Sequence, residues 1–249
     1  MVSGETDTAN LVVRDDCAEG PSSTTNVLAV SMKIWHLVVF LAWIVGPFVL
    51  AAKITWASGW VYVTVIVLGL ARHRIFVARR NPELFLVRKN LGVGTKHWDI
   101  IWNLLFWPLM AAVPIVAGFG AHRGWQSMSI LAWPMGLLLF ASAMAASAWA
   151  MSVNPHFEGT VRIQEDRDHR VVDTGPYGCV RHPGYVGLLL WALASPFLLR
   201  SLAALVPAGL VIGWLVLRTA LEDATLRREL AGYLEYTKRV RYRLVPGLW

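Results

Sequence analysis

Six apolar runs follow one another along this chain; the first four are each about as long as a helix needs to cross a ~30 Å hydrocarbon core, and the last two are shorter. They cover residues 32–52, 56–76, 100–119, 130–153, 185–199 and 202–219. Hydrophobic residues make up 56% of the chain and charged residues only 16%, which is too little polar surface for a soluble protein of 249 residues. The sequence therefore predicts an all-α, multi-pass transmembrane helical bundle of about five to six spans.

The basic residues predict the orientation of these spans, because cytoplasmic loops of membrane proteins are enriched in Lys and Arg. The loop after the second run, the segment after the fourth and the C-terminal tail hold most of the Lys and Arg. The alternate loops hold only Lys53, Arg123 and Arg200. We therefore expect both termini in the cytoplasm. The same distribution accounts for the net charge of +7, so no nucleic-acid partner is expected.

The polar residues divide the chain into three parts. Residues 1–26 are polar, of mixed charge and rich in Ser, Thr and Gly, so they are expected to form a disordered tail. Residues 27–153 are expected to form a membrane region of four helices. Residues 154–249 hold a helical hairpin and a C-terminal tail together with the polar segments that could carry chemistry. The polar segments are all predicted to be cytoplasmic, so they could converge on one site at the inner face.

Three histidines within residues 154–187 raise the question of a metal site. His156, His169 and His182 are thirteen residues apart and have neither a Cys partner nor an i, i+4 pair. Helical zinc sites use closer spacings, such as H-E-x-x-H. No metal site is therefore expected.

The stretch R-H-P-G-Y-V-G, residues 181–187, lies at the start of the fifth apolar run. Pro183 suits the first turn of a helix. The free N–H groups of a helix start suit an anionic group. Gly184 and Gly187 let a ligand or another backbone come close. This stretch is therefore a candidate binding element.

Arg218 and Glu222 form a second candidate element, at the end of the sixth run. They are four residues apart, so they share one face of a helix. Ionisable groups at that depth of a membrane protein usually face the protein interior or an aqueous cavity. A functional role is therefore favoured over a surface ion pair.

These motifs together resemble the isoprenylcysteine carboxyl methyltransferase family. The resemblance runs through residues 154–187, then R-T-x-x-E-D-x-x-L from Arg218, then G-Y-x-E-Y-x-K-R-V from Gly232. It implies a multi-pass membrane enzyme that uses S-adenosylmethionine, with a cytoplasmic cofactor site in residues 154–249. The N-terminal half is similar only in being made of hydrophobic helices. The tail departs from the family pattern V-P-x-x-L-P, because this chain reads V-R-Y-R-L-V-P-G-L-W.

The resemblance also implies a role for each matching residue. Those that would line the S-adenosylmethionine pocket are Gln164, His169, Arg170, Val171, Val172, Tyr177, His182, Pro183, Gly184 and Tyr185. Glu222 would hold the ammonium group of the cofactor, and Arg218 would face the substrate. These two are the implied catalytic residues.

The chemistry of methyl transfer from a sulfonium agrees with these residues. It is an in-line displacement that needs no metal, and it depends mainly on proximity and alignment in a water-poor site. A carboxylate suits the ammonium group, and Tyr rings suit the positive sulfur. A carboxyl acceptor needs no base, whereas a thiol or phenol would need one, with His169 or His182 as candidates.

The predicted function is methyl transfer to a carboxyl, thiol or phenol of a lipophilic small molecule, with the lipid bilayer as the other partner. Two alternatives stay open. A membrane reductase of the sterol-reductase type would use NADPH, and it shares the R-H-P-x-Y stretch. A transporter or membrane scaffold is the second, although transporter sites lie near the midplane and the polar residues here cluster at the cytoplasmic ends.

Overall fold

The computed structural model describes residues 23–84, 95–125 and 127–249, and for residues 23–33 and 36 it describes the backbone alone. The helices of the bundle are α1 (Ser23–Ala51), α2 (Ala57–Arg80), α3 (His97–Arg123), α4 (Ala132–Val153), α5 (Pro183–Leu199), α6 (Leu205–Glu229) and α7 (Tyr233–Arg239). Two short 3-10 helices, Glu165–Arg167 and Gly175–Gly178, lie between α4 and α5. Within these ranges there is no strand, only an isolated bridge between Ser127 and Ser201. The prediction of an all-α fold is confirmed.

Four of the helices, α2, α3, α4 and α6, are long and apolar enough to cross a membrane. The apolar part of α1, Leu37–Ala51, and α5 are shorter, and the 17 residues of α5 are about 26 Å long. Large apolar side chains face outward, among them Leu68, Leu138 and Val206 with 64%, 63% and 70% of their surface exposed. Such a surface suits lipid and not water. The chain is an integral membrane protein.

Two helices extend furthest beyond their predicted apolar runs. α1 begins at Ser23, so residues 23–26 of the predicted tail are helical, and residues 1–22 lie outside the described residues. α6 continues past residue 219 to Glu229, about 15 Å further. Leu, Glu, Ala and Arg are frequent in this extension, and these residues favour helix even where the apolar run has ended. Arg218 and Glu222 therefore lie inside a helix and not at its end.

α4 and α5 pack closely against each other through glycines. A Cβ at Gly187 would lie 2.9 Å from the carbonyl oxygen of Ala143, and one at Gly136 would lie 2.8 Å from the backbone nitrogen of Leu198. Small residues allow such close approach between helices in lipid. Of the two uses expected for Gly187, the structure shows the approach of another backbone.

α5 and α6 form the predicted hairpin, joined by residues 200–204. Arg200 ends α5 in the left-handed conformation, with φ 54°, and its Nε donates to the carbonyl oxygen of Met128 at 2.9 Å. The hairpin places the start of α5 beside the end of α6. The ends of α2 and α4 and the start of α3 lie at the same end of the bundle. The polar segments that follow α4 and end α6 are therefore brought together.

Candidate active site

A cavity of about 500 Å³ lies at this end of the bundle. Its walls come from α2 to α7 and from the loop 154–182 between α4 and α5. Cavities of this size bind small molecules. The predicted site residues in its lining are Gln164, His169, Arg170, Val171, Val172, Tyr177, His182, Gly184, Tyr185, Arg218 and Glu222. Pro183 is buried as the first residue of α5 and is not part of the lining.

Arg218 is buried in the cavity wall, with 4% of its surface exposed. Its Nη2 lies 2.9 Å from Oδ1 of Asp99 and donates to the carbonyl oxygen of Gly159 at 2.8 Å. The guanidinium carbon lies 4.1 Å from the ring centroid of Trp102, a cation–π contact. Its Nε is 4.0 Å from Oε2 of Glu222 and has no hydrogen-bond partner among the described residues. Arg218 therefore pairs more closely with α3 than with its neighbour on α6.

Glu222 lines the same cavity one helical turn further along α6. Its Oε2 accepts a hydrogen bond from the hydroxyl of Tyr185. Its Oε1 lies 3.8 Å from Nδ1 of His182. The start of α5 thus orients a carboxylate that remains partly exposed.

Asp223 is fully buried beside the site, and the sequence analysis gave it no role. Arg181 approaches it with two nitrogens, Nε at 2.7 Å from Oδ1 and Nη2 at 3.1 Å from Oδ2. Nε of Arg243 donates to Oδ2 at 3.0 Å, and the hydroxyl of Tyr233 donates to Oδ1 at 3.1 Å. Nε2 of His182 lies 3.4 Å from Oδ1. A buried carboxylate needs such partners, and through them Asp223 fixes the orientation of His182.

The C-terminal tail runs alongside the start of α5. The backbone N–H of Arg181 donates to the carbonyl oxygen of Tyr242 at 2.9 Å, and that of His182 donates to Arg243 at 3.0 Å. Nη1 of Arg181 donates to the carbonyl oxygens of residues 240 and 241 at 2.8 and 2.6 Å. The segment in which this chain departs from the family pattern therefore forms the support behind His182.

His156 and His169 face each other within the loop between α4 and α5, with ring centroids 4.6 Å apart. Burial and the neighbouring basic groups lower the pKa of His169 to about 4, and burial lowers the pKa of His156. Both rings are therefore mainly neutral at pH 7. Gln164 holds this loop together, because its Nε2 donates to the carbonyl oxygen of His156 at 2.7 Å and its backbone N–H to Nδ1 of His169 at 3.4 Å. In the described part of the chain no three His, Cys, Asp or Glu residues are grouped as metal ligands.

The other predicted residues differ in how firmly they are held. The hydroxyl of Tyr177 accepts a hydrogen bond from Nδ2 of Asn154 at 3.0 Å, and burial raises the pKa of Tyr177. Gly184 lies against Phe157, and a Cβ there would come within 2.6 Å of that ring. Arg170 is exposed and pairs with a carboxylate of its own loop. Tyr177 and Gly184 therefore belong to the packed wall, and Arg170 to the rim.

α3 contributes residues to the site that the sequence analysis missed. Asp99 is fully buried, and its Oδ2 accepts a hydrogen bond from the backbone N–H of Val161 at 2.7 Å. The backbone N–H of Lys96 donates to the carbonyl oxygen of Val161 at 3.2 Å. Trp102 stacks on Phe106 with ring centroids 4.5 Å apart, and both line the cavity. A lone acidic residue at the start of an apolar helix is the signal that could have identified Asp99, because a carboxylate at that depth needs a partner.

Comparisons with known proteins agree with the motifs. Residues 135–228 match the isoprenylcysteine carboxyl methyltransferase family. A protein-S-isoprenylcysteine O-methyltransferase of Schizosaccharomyces pombe is 32% identical over 78 residues, 31% of this chain and 33% of that protein. One of Saccharomyces cerevisiae is 32% identical over 114 residues, 43% of this chain and 46% of that protein. The chain thus matches between a third and a half of the length of these two relatives.

Among solved structures, that of the eukaryotic intramembrane Ras methyltransferase, isoprenylcysteine carboxyl methyltransferase, has a TM-score of 0.43 and 17% sequence identity. The alignment covers 91% of this chain and 87% of that chain. The sequence match contains the start of α5 and the pair Arg218 and Glu222. The resemblance indicated by the motifs is confirmed: through residues 135–228, this chain matches the isoprenylcysteine carboxyl methyltransferase family.

Proposed function

We propose that the protein is a membrane methyltransferase that uses S-adenosylmethionine to methylate a carboxyl group of a lipophilic small molecule. One observation carries the proposal. The carboxylate of Glu222 and the guanidinium of Arg218 line one cavity of about 500 Å³, and both lie inside the segment that matches the methyltransferase family. Because the relatives are named protein-S-isoprenylcysteine O-methyltransferases, an S-isoprenylcysteine is the first acceptor to test.

The residues of the cavity fit the charges of S-adenosylmethionine, which supplies a methyl group on a positive sulfur and also carries an ammonium and a carboxylate group. Glu222 would hold the ammonium group, and the hydroxyl of Tyr185 orients its carboxylate. The rings of Tyr177 and Tyr233 also line the cavity, and aromatic faces attract a cation. The donor set therefore suits a ligand with a positively charged end.

Arg218 would hold the acceptor. Its Nε is buried and has no hydrogen-bond partner in the described ranges, so an anionic ligand atom would supply the partner that this N–H lacks. Trp102, Phe106 and Trp107 line the neighbouring wall, which suits the apolar part of the same molecule. Holding the two reactants in line, away from water, is the main contribution that such a site makes to the rate.

The low pKa of His169 makes it a poor base for a thiol or phenol acceptor, and a carboxyl acceptor needs no base. A thiol or phenol needs a base with a pKa near the working pH. The pKa of His169 is lowered to about 4, which makes its ring a weak base at pH 7. A carboxylate is already deprotonated at that pH and needs no base.

We further infer that the cavity lies on the cytoplasmic side and that both termini are cytoplasmic. The last turns of α2 and α6, at this end of the bundle, are basic, with Arg79 and Arg80 in α2 and Arg227 and Arg228 in α6. Basic residues mark the cytoplasmic side of membrane proteins. This supports the orientation expected from the Lys and Arg counts.

The proposal is tested by calorimetric titration of the purified protein with S-adenosylhomocysteine, followed by a methyl-transfer assay with an S-isoprenylcysteine. Glu222→Gln should weaken binding about ten- to a hundredfold, because it removes a charge-assisted hydrogen bond of about 1.5–3 kcal/mol. Arg218→Ala should spare binding and lower turnover. Glu235→Gln breaks only an exposed pair with Lys238 and serves as the control. Binding of NADPH without binding of S-adenosylhomocysteine would contradict the proposal.

A further inference from the structure

We propose that Asp99 is a positioning residue that keeps Arg218 away from Glu222, so that the carboxylate of Glu222 stays available to a positively charged ligand. Asp99 belongs to α3, outside the residues 135–228 that match the family. The inference rests on the proposed function, since it concerns the binding of the cofactor's ammonium group by Glu222.

Arg218 has two carboxylates within reach, and the structure shows which of them it is paired with. Its Nη2 lies 2.9 Å from Oδ1 of Asp99, whereas its Nε lies 4.0 Å from Oε2 of Glu222. The first contact is a close ion pair, and the second lies at the outer limit of distance for one. The guanidinium therefore pairs with Asp99, and the carboxylate of Glu222 instead accepts a hydrogen bond from Tyr185.

The contacts that hold Arg218 in this position come from outside α6. Asp99 is fixed because it is fully buried and its Oδ2 accepts the N–H of Val161 at 2.7 Å. The carbonyl oxygen of Gly159 accepts from Nη2 at 2.8 Å, and the ring of Trp102 lies under the guanidinium. α3 and the loop that contains Gly159 thus hold Arg218 away from Glu222, the neighbouring acid on its own helix.

Loss of the charge on Asp99 would remove this arrangement. Glu222 would then be the nearest carboxylate to Arg218, at i, i+4 on the same helix face. An ion pair that closes in a water-poor site is stronger than one at the surface, because the effective dielectric constant there is lower. A ligand ammonium group would have to displace the guanidinium before it could bind Glu222.

Asp99→Asn tests the inference, because Asn keeps the size of the side chain and an oxygen that can accept the N–H of Val161. Calorimetric titration with S-adenosylhomocysteine should show affinity weakened about tenfold, equivalent to ~1.4 kcal/mol. In the double variant Asp99→Asn/Arg218→Gln the competing cation is gone, so affinity should return to that of Arg218→Gln alone. Glu229→Gln is the matched control, since it breaks another ion pair between α6 and the start of α3, Lys96–Glu229 at 2.7 Å, but an exposed one.

Unchanged affinity in Asp99→Asn would overturn the inference. Equal loss in the single and double variants would also overturn it, because Asp99 would then act through the loop and not through Arg218. Trp102→Phe provides a second variant that does not depend on the folding of Asp99→Asn. Its weaker cation–π contact should give a smaller loss that Arg218→Gln again removes. If neither the parent nor Glu229→Gln binds S-adenosylhomocysteine, the proposed function itself is wrong, and the inference falls with it.

Discussion

Asp223→Asn is expected to destabilise the protein by about 3–5 kcal/mol, because it removes one charge from a buried ion pair and leaves the other charge without compensation. The side chains of Arg181 and Asp223 are 2% and 0% exposed, so water cannot replace the lost partner. The amide nitrogen of Asn would also face the guanidinium groups of Arg181 and Arg243, which are both donors. For a chain of this length the melting temperature should fall by about 6–20 °C.

Thermal unfolding of the purified protein in detergent measures this shift. Asp173→Asn is the control, because its partner Arg239 lies at 2.8 Å but the two side chains are 37% and 66% exposed. Such a surface pair is worth about 0–1 kcal/mol, so the control should shift by no more than about 4 °C. Since Arg181 also binds the carbonyl oxygens of residues 240 and 241, limited proteolysis should cleave the tail faster in Asp223→Asn. Equal melting shifts in the two variants would refute the argument that burial sets the magnitude.

Further changes test the rest of the structure. His182→Ala should weaken S-adenosylhomocysteine binding in calorimetry while the protein stays folded, and unchanged affinity would remove His182 from the site. Because the pKa of His169 is about 4 in the fold against 6.5 unperturbed, the unfolded chain binds more protons between these values. Stability measured by thermal unfolding should therefore fall as the pH drops through that window, and His169→Gln should flatten the slope. Gly187→Ala should overlap α4, reduce the free energy of unfolding by about 1–3 kcal/mol and so lower the melting temperature. Gly213→Ala, where a Cβ meets nothing within 4 Å, should leave the melting temperature unchanged. Reporter fusions at both termini should give a cytoplasmic signal, and a signal from the opposite side at either terminus would refute the proposed orientation.

The helices and the location of the site motifs could be predicted from the sequence for a local reason. In lipid a backbone must satisfy its own hydrogen bonds, so each long apolar run has to be a helix. Pro183 marks the start of one helix, and the spacing of Arg218 and Glu222 places them on one face of another. A tight connection joins those two helices, so the start of the first lies beside the end of the second. This is why the cavity holds nearly all of the predicted residues.

The partners of the buried charges could not be predicted in the same way. Arg218 is paired with Asp99, on a helix that is distant in the sequence. Asp223 forms ion pairs with Arg181 and with Arg243 of the tail. The sequence determined which segments are helical and which faces carry charge. The rotation of each helix toward its neighbours, and therefore the pairing of each buried acid with a base, is set by tertiary packing. Lipid solvates every apolar face of a helix about equally well, so the hydrophobic pattern does not select the packing, and close fit at small residues together with buried polar contacts decides it.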